Sequence, residues 1–211
     1  MSDFEIFDMP QGSPEWFQAR LGIPTASEFD TIQASGRGGG VSKTRQTYMR
    51  KLAGEVITGL AAESFQSAAF DRGHEWESIA RTHYEFSEGV EVQEVGFIRS
   101  KSYRAGGSPD GLVGADGMIE IKTKAPHLWI EAVERGSFPP EHMAQTQGNL
   151  WISGREWCDL VIYYQGMPLI ISRIERDEGY IRGLRNAVTD FNVELLALVG
   201  RIQELGKVVR F

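Results

Sequence analysis

The residues best suited to chemistry are two acids and a lysine in the middle of the chain. Asp110 follows Pro109, and after nine further residues comes Glu120-Ile121-Lys122. Side chains alternate between the two faces of a strand, so Glu120 and Lys122 share one face while Ile121 points into the core. A hairpin over the intervening residues would fold Asp110 back beside Glu120. The pattern therefore predicts two carboxylates and one ammonium group at one place.

This combination suits the hydrolysis of a phosphodiester. Carboxylate oxygens are hard ligands for Mg²⁺. A metal held by Asp110 and Glu120 would polarise the phosphodiester and lower the pKa of a bound water, and Lys122 could orient or deprotonate that water. The same residues also have simpler interpretations. A Glu-x-Lys pair on a strand is often only a solvated ion pair, and Pro-Asp-Gly is often only a turn.

Hydrophobic periodicity predicts the elements that position these groups. Tyr48, Leu52 and Val56 are spaced as on one stripe of a helix over 44–60, which ends near Gly59. In the stretch 66–88, residues such as Trp76, Ile79 and His83 recur at steps of three or four and predict a longer helix. We further expect a strand over 90–97, a hairpin over 112–123, helices over 127–135 and 139–152, strands over 158–164 and 169–174, and a final helix over 177–205.

These elements predict an α/β fold in which helices flank a mixed central sheet. The chain has 211 residues, which suits one domain over 1–211, with its core over about 16–177 and the last helix added to it. The only cysteine is Cys158, so neither an intrachain disulfide nor a cysteine-based zinc site is possible. No apolar run approaches the ~20 residues that span a membrane, and we expect a cytoplasmic protein.

The distribution of charge limits how the protein could bind nucleic acid. The net charge is −7, and most of the acidic excess lies within residues 61–150, which argues against indiscriminate binding to nucleic acid. Residues 37–51 are the exception, because they carry five basic residues and no acid: Arg37, Lys43, Arg45, Arg50 and Lys51. This stretch is either a flexible loop that leads into a solvated helix or a basic arm over a phosphate backbone.

The motifs together resemble a known nuclease family. Pro109-Asp110 with Glu120-x-Lys122 is similar to the signature of the PD-(D/E)xK nuclease superfamily. Six blocks in order resemble the lambda exonuclease family of phage recombination nucleases, the YqaJ-like group: Trp16 with Arg20-Leu21-Gly22 and Thr25-Ala26-Ser27-Glu28, Gly73-x-x-x-Glu77-x-x-Ala80-Arg81, Ser108-Pro109-Asp110-Gly111, Glu120-Ile121-Lys122, Met143-Ala144-Gln145-x-Gln147, and Ile174-Glu175-Arg176-Asp177. They span about 16–177.

The resemblance implies a restriction-endonuclease-like fold and a role for each matching residue. The metal ligands would be Asp110, Glu120 and the main-chain carbonyl of Ile121, and Lys122 would act on the water. Glu77 would help to hold the metal or its water. Gln145 would position the water or Lys122. The pocket for a 5′-terminal phosphate would be formed by Arg20, Ser27 and Ser108.

Several of these residues have structural alternatives. Glu77 could lie on a solvated helix face, and Gln145 could cap or solvate its helix. Arg20 could form an ion pair with Glu28, and Ser27 could be the N-cap of a helix that begins at Glu28.

The chain also departs from the family pattern at two places. The family often has Cys-Pro and then a phosphate-binding arginine after the Glu-x-Lys motif, whereas this chain has no arginine before Arg135. Lys124 or His127 would therefore have to bind the phosphate in its place. Asn149 stands where the broader superfamily often has a tyrosine.

The implied activity is 5′→3′ digestion of one strand at double-stranded DNA ends. It would depend on Mg²⁺, with Mn²⁺ as a substitute and Ca²⁺ as an inhibitor, and would release mononucleotides and leave a 3′ single-stranded tail. The implied partners are a single-strand annealing protein and two further copies of this chain in a homotrimeric ring, inside which Arg45 and its basic neighbours would retain the DNA. A phage or prophage in a bacterial host would encode it. The alternatives are an endonuclease or junction resolvase with the same metal site, and an inert DNA-end-binding factor.

Overall fold

The structure is a computed structural model that describes residues 3–36, 39–40, 42–62 and 68–205, with side chains from residue 75 onward in the last range. The strands are β1 Phe4–Phe7, β2 Val92–Gln93, β3 Phe97–Ser100, β4 Gly106–Gly107, β5 Gly111–Val113, β6 Gly117–Thr123, β7 Trp157–Tyr163 and β8 Ile170–Glu175. The α-helices are α1 Pro14–Ala19, α2 Phe29–Gln33, α3 Lys43–Thr58, α4 Ala68–Glu88, α5 Pro126–Arg135, α6 Met143–Ser153 and α7 Glu178–Gln203. Short 3₁₀ turns cover Ala26–Glu28 and Pro140–His142.

The central sheet is mixed, as the sequence predicts. Its strand order is β2-β5-β6-β7-β8, in which β6 and β7 are parallel and the other neighbours are antiparallel. The predicted hairpin is present as β5 and β6, and Gly114 in its turn has a φ of 53°, which a residue with a side chain rarely adopts. β6 therefore lies in the middle of the sheet, where its backbone is held by a strand on each side.

Helices cover both faces of this sheet, and β6 divides its side chains between them. Ile119 and Ile121 pack with Ala80 and Tyr84 of α4 on one face. Met118 belongs to the larger cluster on the other face, which includes residues of α3, α6 and α7. Because the side-chain period of a strand is two, Glu120 lies on the same face as Met118 and is directed towards α6.

The predicted strand over 90–97 is wrong. Val92 pairs with β5 in the central sheet, whereas Phe97 begins a strand of a separate three-stranded sheet with the order β1-β3-β4. The break occurs at Gly96, where an added Cβ would lie only 2.1 Å from the main-chain oxygen of Met9. This close crossing of two backbones excludes a continuous strand, and the alternating sequence pattern does not reveal it.

The predicted helices are present, with differences at the surface. Gly59, Gly89 and Gly136 follow α3, α4 and α5 with positive φ, as helix-ending glycines do. Ile79 and His83 belong to the predicted apolar stripe of α4 but are exposed, because only one side of this helix contacts the sheet. Arg37 of the basic stretch lies outside the described residues. Within the described part of the chain, no helix combines the length and hydropathy that a transmembrane segment needs.

Candidate active site

The β5–β6 hairpin brings Asp110 against the middle of β6. The main-chain N–H of Asp110 donates to the carbonyl of Ile119 at 3.2 Å, and the Asp110 carboxylate accepts from the N–H of Ile121 at 2.6 Å. The N–H and C=O of one strand residue point to the same edge of the strand. The Ile121 carbonyl therefore faces the edge that Asp110 occupies, so all three predicted metal ligands meet where β5 and β6 diverge.

Glu120 is almost fully buried, and donors hold both of its carboxylate oxygens. Its Oε1 accepts from the Lys122 ammonium at 2.8 Å and from the Gln145 amide at 2.5 Å, and its Oε2 accepts from the Asn149 amide at 3.1 Å. Gln145 and Asn149 are four residues apart on α6, so both project from one face of that helix. Gln145 therefore does not merely solvate its helix.

Glu77 extends from α4 to the same place. It shares a hydrogen bond with Asp110 and lies 3.7 Å from the guanidinium of Arg81, one turn further along α4. Its side chain is mostly buried. The alternative of a solvated helix face is therefore wrong, and Glu77 adds a third carboxyl group to the site.

Burial and mutual repulsion make these carboxyl groups weak acids. Burial, and after it the charge of Glu77, raises the pKa of Asp110 to about 7. Burial, followed by the charge of Asp110, raises the pKa of Glu120 to about 7, and burial also raises the pKa of Glu77. Burial alone would lower the pKa of Lys122, but the carboxylates around it outweigh burial and raise it. The site thus holds protons near neutral pH that a cation would replace.

The donor set fits Mg²⁺. Asp110, Glu120 and the carbonyl of Ile121 offer oxygen ligands, and the repulsion between the carboxylates favours a divalent cation between them. No three His, Cys, Asp or Glu side chains in the described part of the chain are close enough to enclose a metal by themselves. An open site suits Mg²⁺, because this ion usually keeps several waters and completes its shell with substrate phosphate.

Arg20 is the centre of a second polar cluster, which contains the residues predicted to bind a terminal phosphate. Its guanidinium donates to the hydroxyls of Ser108 at 3.3 Å and Thr25 at 3.4 Å, and the Thr25 hydroxyl lies 3.3 Å from that of Ser27. Burial lowers the pKa of Arg20 to about 10, so the group stays charged at neutral pH. Its side chain also stacks 3.8 Å above the ring of Trp16.

The N-cap alternative for Ser27 is wrong. Ser27 lies inside the 3₁₀ turn, which Thr25 precedes, and Glu28 occupies the position before α2. The Ser27 hydroxyl is therefore not used as the cap of α2. The hydrogen bonds of Arg20 go to Ser108 and Thr25, which favours the phosphate pocket over an ion pair with Glu28.

One cleft of about 250 Å³ joins the two clusters. Its lining includes the predicted residues of the metal site and the three residues of the terminal-phosphate pocket: Arg20, Ser27, Glu77, Ser108, Asp110, Glu120, Ile121, Lys122 and Gln145. The acids, the lysine and the arginine pocket therefore form one continuous surface that a DNA end could occupy.

Two predicted DNA-binding residues lie apart from this lining. Arg45 forms two hydrogen bonds, at 2.8 and 3.0 Å, with the carboxylate of Glu194 on α7. It also lies over the ring of Phe191, and its side chain is only 12% exposed. Lys124 follows β6 and lies 3.8 Å from Glu141. The structure therefore assigns Arg45 to the packing of α3 against α7 and places Lys124 beside Glu141, outside the cleft lining.

The sequence analysis assigned no role in the site to four residues that line the cleft: Gln11, Trp16, Thr25 and Asn149. Gln11 donates to the carbonyls of Val95 and Pro109, both at 3.0 Å, and so fixes the backbone next to Asp110. A weak signal existed for two of the others. Trp16 and Asn149 each stand four residues from a predicted site residue on the same helix, where their side chains would be neighbours.

Comparison with known proteins finds clear relatives. A family model described as the YqaJ-like viral recombinase domain matches residues 15–156. The alkaline exonuclease LHK-Exo from Laribacter hongkongensis is 36% identical, with a TM-score of 0.82 over 90% of this chain and 96% of that chain. LHK-Exo in complex with dAMP gives 37% identity with the same TM-score and coverage. No curated protein sequence matches.

A more distant structure agrees with the fold alone. A phage related exonuclease from Haemophilus somnus 129PT is 15% identical and has a TM-score of 0.59 over 83% of this chain and 95% of that chain. Together with the mixed sheet and its flanking helices, the match to LHK-Exo confirms the predicted restriction-endonuclease-like fold.

Proposed function

This chain belongs to the family of YqaJ-like viral recombinase domains, and on that premise we propose that it is a DNA exonuclease dependent on Mg²⁺. The observation that carries the proposal is the single cleft in which the carboxylate–lysine cluster and the Arg20 pocket meet. We further propose 5′→3′ polarity, release of mononucleotides, and a product with a 3′ single-stranded tail. A pocket that takes a terminal phosphate would select 5′ ends.

Asp110, Glu120 and the carbonyl of Ile121 would hold the metal. When bound there, Mg²⁺ would stabilise the charge on the scissile phosphate and lower the pKa of a water ligand; Mn²⁺ would replace it and Ca²⁺ would inhibit. Gln145 and Asn149 keep the Glu120 carboxylate in place through their amide groups. The carboxylates around Lys122 raise its pKa in the metal-free site. Its ammonium would therefore orient the water and contact the phosphate.

Digestion of linear and closed-circular duplexes of the same sequence tests this proposal. With Mg²⁺, we expect the linear DNA to be converted to mononucleotides while the closed circle stays intact, because only the linear form has ends. Linearisation of the circle would support the endonuclease or resolvase alternative. Binding of the linear DNA without any cleavage would support the alternative of an inert DNA-end-binding factor. The intact set of Asp110, Glu120 and Lys122 argues against inertness, and an endonuclease would have no use for a terminal phosphate pocket.

We predict that 5′-phosphorylated ends are digested faster than 5′-hydroxyl ends. The phosphate offers several charged acceptors to Arg20, Ser27 and Ser108, whereas the hydroxyl offers one neutral oxygen. The Arg20→Ala variant should lose about 10-fold or more of this preference, since a hydrogen bond to a charged group contributes about 1.5–3 kcal/mol. Arg99→Ala is the matched control, because Arg99 pairs with Glu5 on the small sheet. Equal rates of the wild type on both ends would refute the phosphate pocket.

We also propose a homotrimer that encloses DNA and works with a single-strand annealing protein in the cytoplasm of a phage-infected bacterium. A chain with a net charge of −7 attracts DNA weakly, so a ring would retain the duplex by topology. Exposed apolar residues of α7, among them Val193, Leu196 and Ile202, are candidates for the subunit interface. Light scattering should give about three times 23.6 kDa, and a mass near that of one chain would contradict the ring.

A further inference from the structure

We propose that Trp16 is a positioning residue that sets the direction of hydrogen bonding in the phosphate pocket and thereby makes the pocket selective for a phosphorylated end. This inference rests on the proposed terminal-phosphate pocket. Trp16 lies on α1, one helical turn before Arg20, and is buried except for 9% of its surface. It contacts both Ser108 and Arg20, which are the two groups that line the pocket from different parts of the chain.

The first contact determines what Ser108 can do. The one indole N–H of Trp16 is shared between Ser108 Oγ at 3.0 Å and the carbonyl of Gly96 at 2.9 Å, and Arg20 Nη1 donates to Ser108 Oγ at 3.3 Å. Indole and guanidinium groups can only donate hydrogen bonds, and a serine oxygen has two lone pairs. Both lone pairs are therefore occupied. The Ser108 hydroxyl is then left with its own proton, which it can donate to a ligand in the cleft that Ser108 lines.

The second contact determines the plane of Arg20. The guanidinium lies 3.8 Å above the Trp16 ring, and its two terminal nitrogens reach Ser108 and Thr25. A guanidinium is planar, so its position over the ring leaves its N–H groups to donate outward, past the ring edge. The indole itself is anchored, because its N–H also lies 2.9 Å from the carbonyl of Gly96. Trp16 therefore holds two of the three predicted donors of the pocket, Arg20 and Ser108, in fixed directions.

A pocket of fixed donors distinguishes the two kinds of DNA end. A phosphate dianion has only acceptor atoms on its terminal oxygens and can satisfy the donors of Arg20 and Ser108 together. A 5′-hydroxyl has one oxygen and brings a proton of its own, which the Ser108 oxygen has no free lone pair to accept. Without the indole N–H, Ser108 could turn and accept from the hydroxyl. Selectivity would then fall even though Arg20 is still present.

The test measures the ratio of initial rates on 5′-phosphorylated and 5′-hydroxyl blunt duplexes of one sequence at saturating Mg²⁺. The variant is Trp16→Phe, which keeps an aromatic ring under Arg20 but removes the N–H. We expect its ratio to be at least 10-fold smaller than that of the wild type, because the phosphorylated end loses a fixed donor and the hydroxyl end gains an acceptor. Trp151→Phe is the control, because Trp151 is equally buried and packs against Phe29 in the core. Its ratio should equal that of the wild type.

Ser108→Ala provides a second measurement that does not depend on the folding of the Trp16 variant. It should lower the ratio to a similar degree, and the double variant should lose no more than either single one, because both remove the same interaction. A wild-type ratio near one would refute the phosphate pocket and, with it, this inference. A high wild-type ratio that Trp16→Phe leaves unchanged would overturn the role of Trp16 alone, as would full selectivity of Ser108→Ala.

Discussion

Replacing Asp110 by asparagine should abolish cleavage and at the same time make the metal-free protein more stable. The loss of one carboxylate ligand should lower the rate by at least ~10³-fold, which corresponds to about 4 kcal/mol of transition-state stabilisation. Asparagine keeps an oxygen that can accept from the N–H of Ile121 and gains an amide group that can donate to Glu77. The site should therefore stay folded while it loses its affinity for the metal.

The gain in stability follows from the pKa of Asp110. Burial and the charge of Glu77 raise this pKa to about 7 in the folded protein, whereas in an unfolded chain it is about 3.9. A raised carboxyl pKa means that the folded state binds the proton more tightly, so the stability tied to this proton is present at low pH and is lost as the pH rises through about 7. Above pH 7 the native chain must keep a repelled carboxylate, which the asparagine removes.

The measurement is thermal unfolding without metal at pH 5 and pH 8, together with the rate of digestion. At pH 8 the midpoint of Asp110→Asn should exceed that of the wild type by at least ~2–4 °C, the shift that about 1 kcal/mol produces in a chain of this size, and at pH 5 the difference should shrink. Asp116→Asn is the control, since Asp116 is exposed in the turn of the same hairpin. A tenth of the wild-type rate in Asp110→Asn would contradict the assignment of Asp110 as a metal ligand.

The Lys122→Ala variant should lose ~10²-fold or more in maximal rate without requiring more Mg²⁺. The Lys122 ammonium lies 2.8 Å from Glu120, is mostly buried and lines the cleft. A phosphate and a water bound in the cleft would therefore be in contact with it. Its removal forfeits a charged contact comparable to a lost oxyanion-type donor. It also removes one of the two donors to Glu120 Oε1, which should leave the affinity for the metal equal or higher.

A titration of the rate with Mg²⁺ separates these effects. We expect a lower plateau for Lys122→Ala and an unchanged or lower concentration at half-maximal rate. Lys101→Ala, which changes a lysine beside the small sheet, should resemble the wild type in both quantities. Recovery of the Lys122→Ala rate at high Mg²⁺ would mean that Lys122 acts only through metal binding and does not contact the reacting groups.

Local pattern was sufficient to predict the arrangement of the carboxylates. The alternation along β6 predicts that Glu120 and Lys122 share a face, and the glycine-containing turn predicts that Asp110 returns beside them. Both relations are local, since they depend on strand period and on one short turn. The helix-ending glycines belong to the same class, because a positive φ is a property of one residue. The roles of these residues in catalysis remain predictions.

The sequence by itself determined the mixed α/β fold, the hairpin and the residue types of the site, because strand and helix periods and short turns follow from neighbouring residues. Tertiary structure alone decided which distant groups became partners. Glu194 pairs with Arg45 from 149 positions away, and Trp16 meets Ser108 across 92 positions. The crossing of Gly96 over Met9 divides one predicted strand between two sheets. Such contacts depend on how whole elements pack, and no local period in the sequence encodes them.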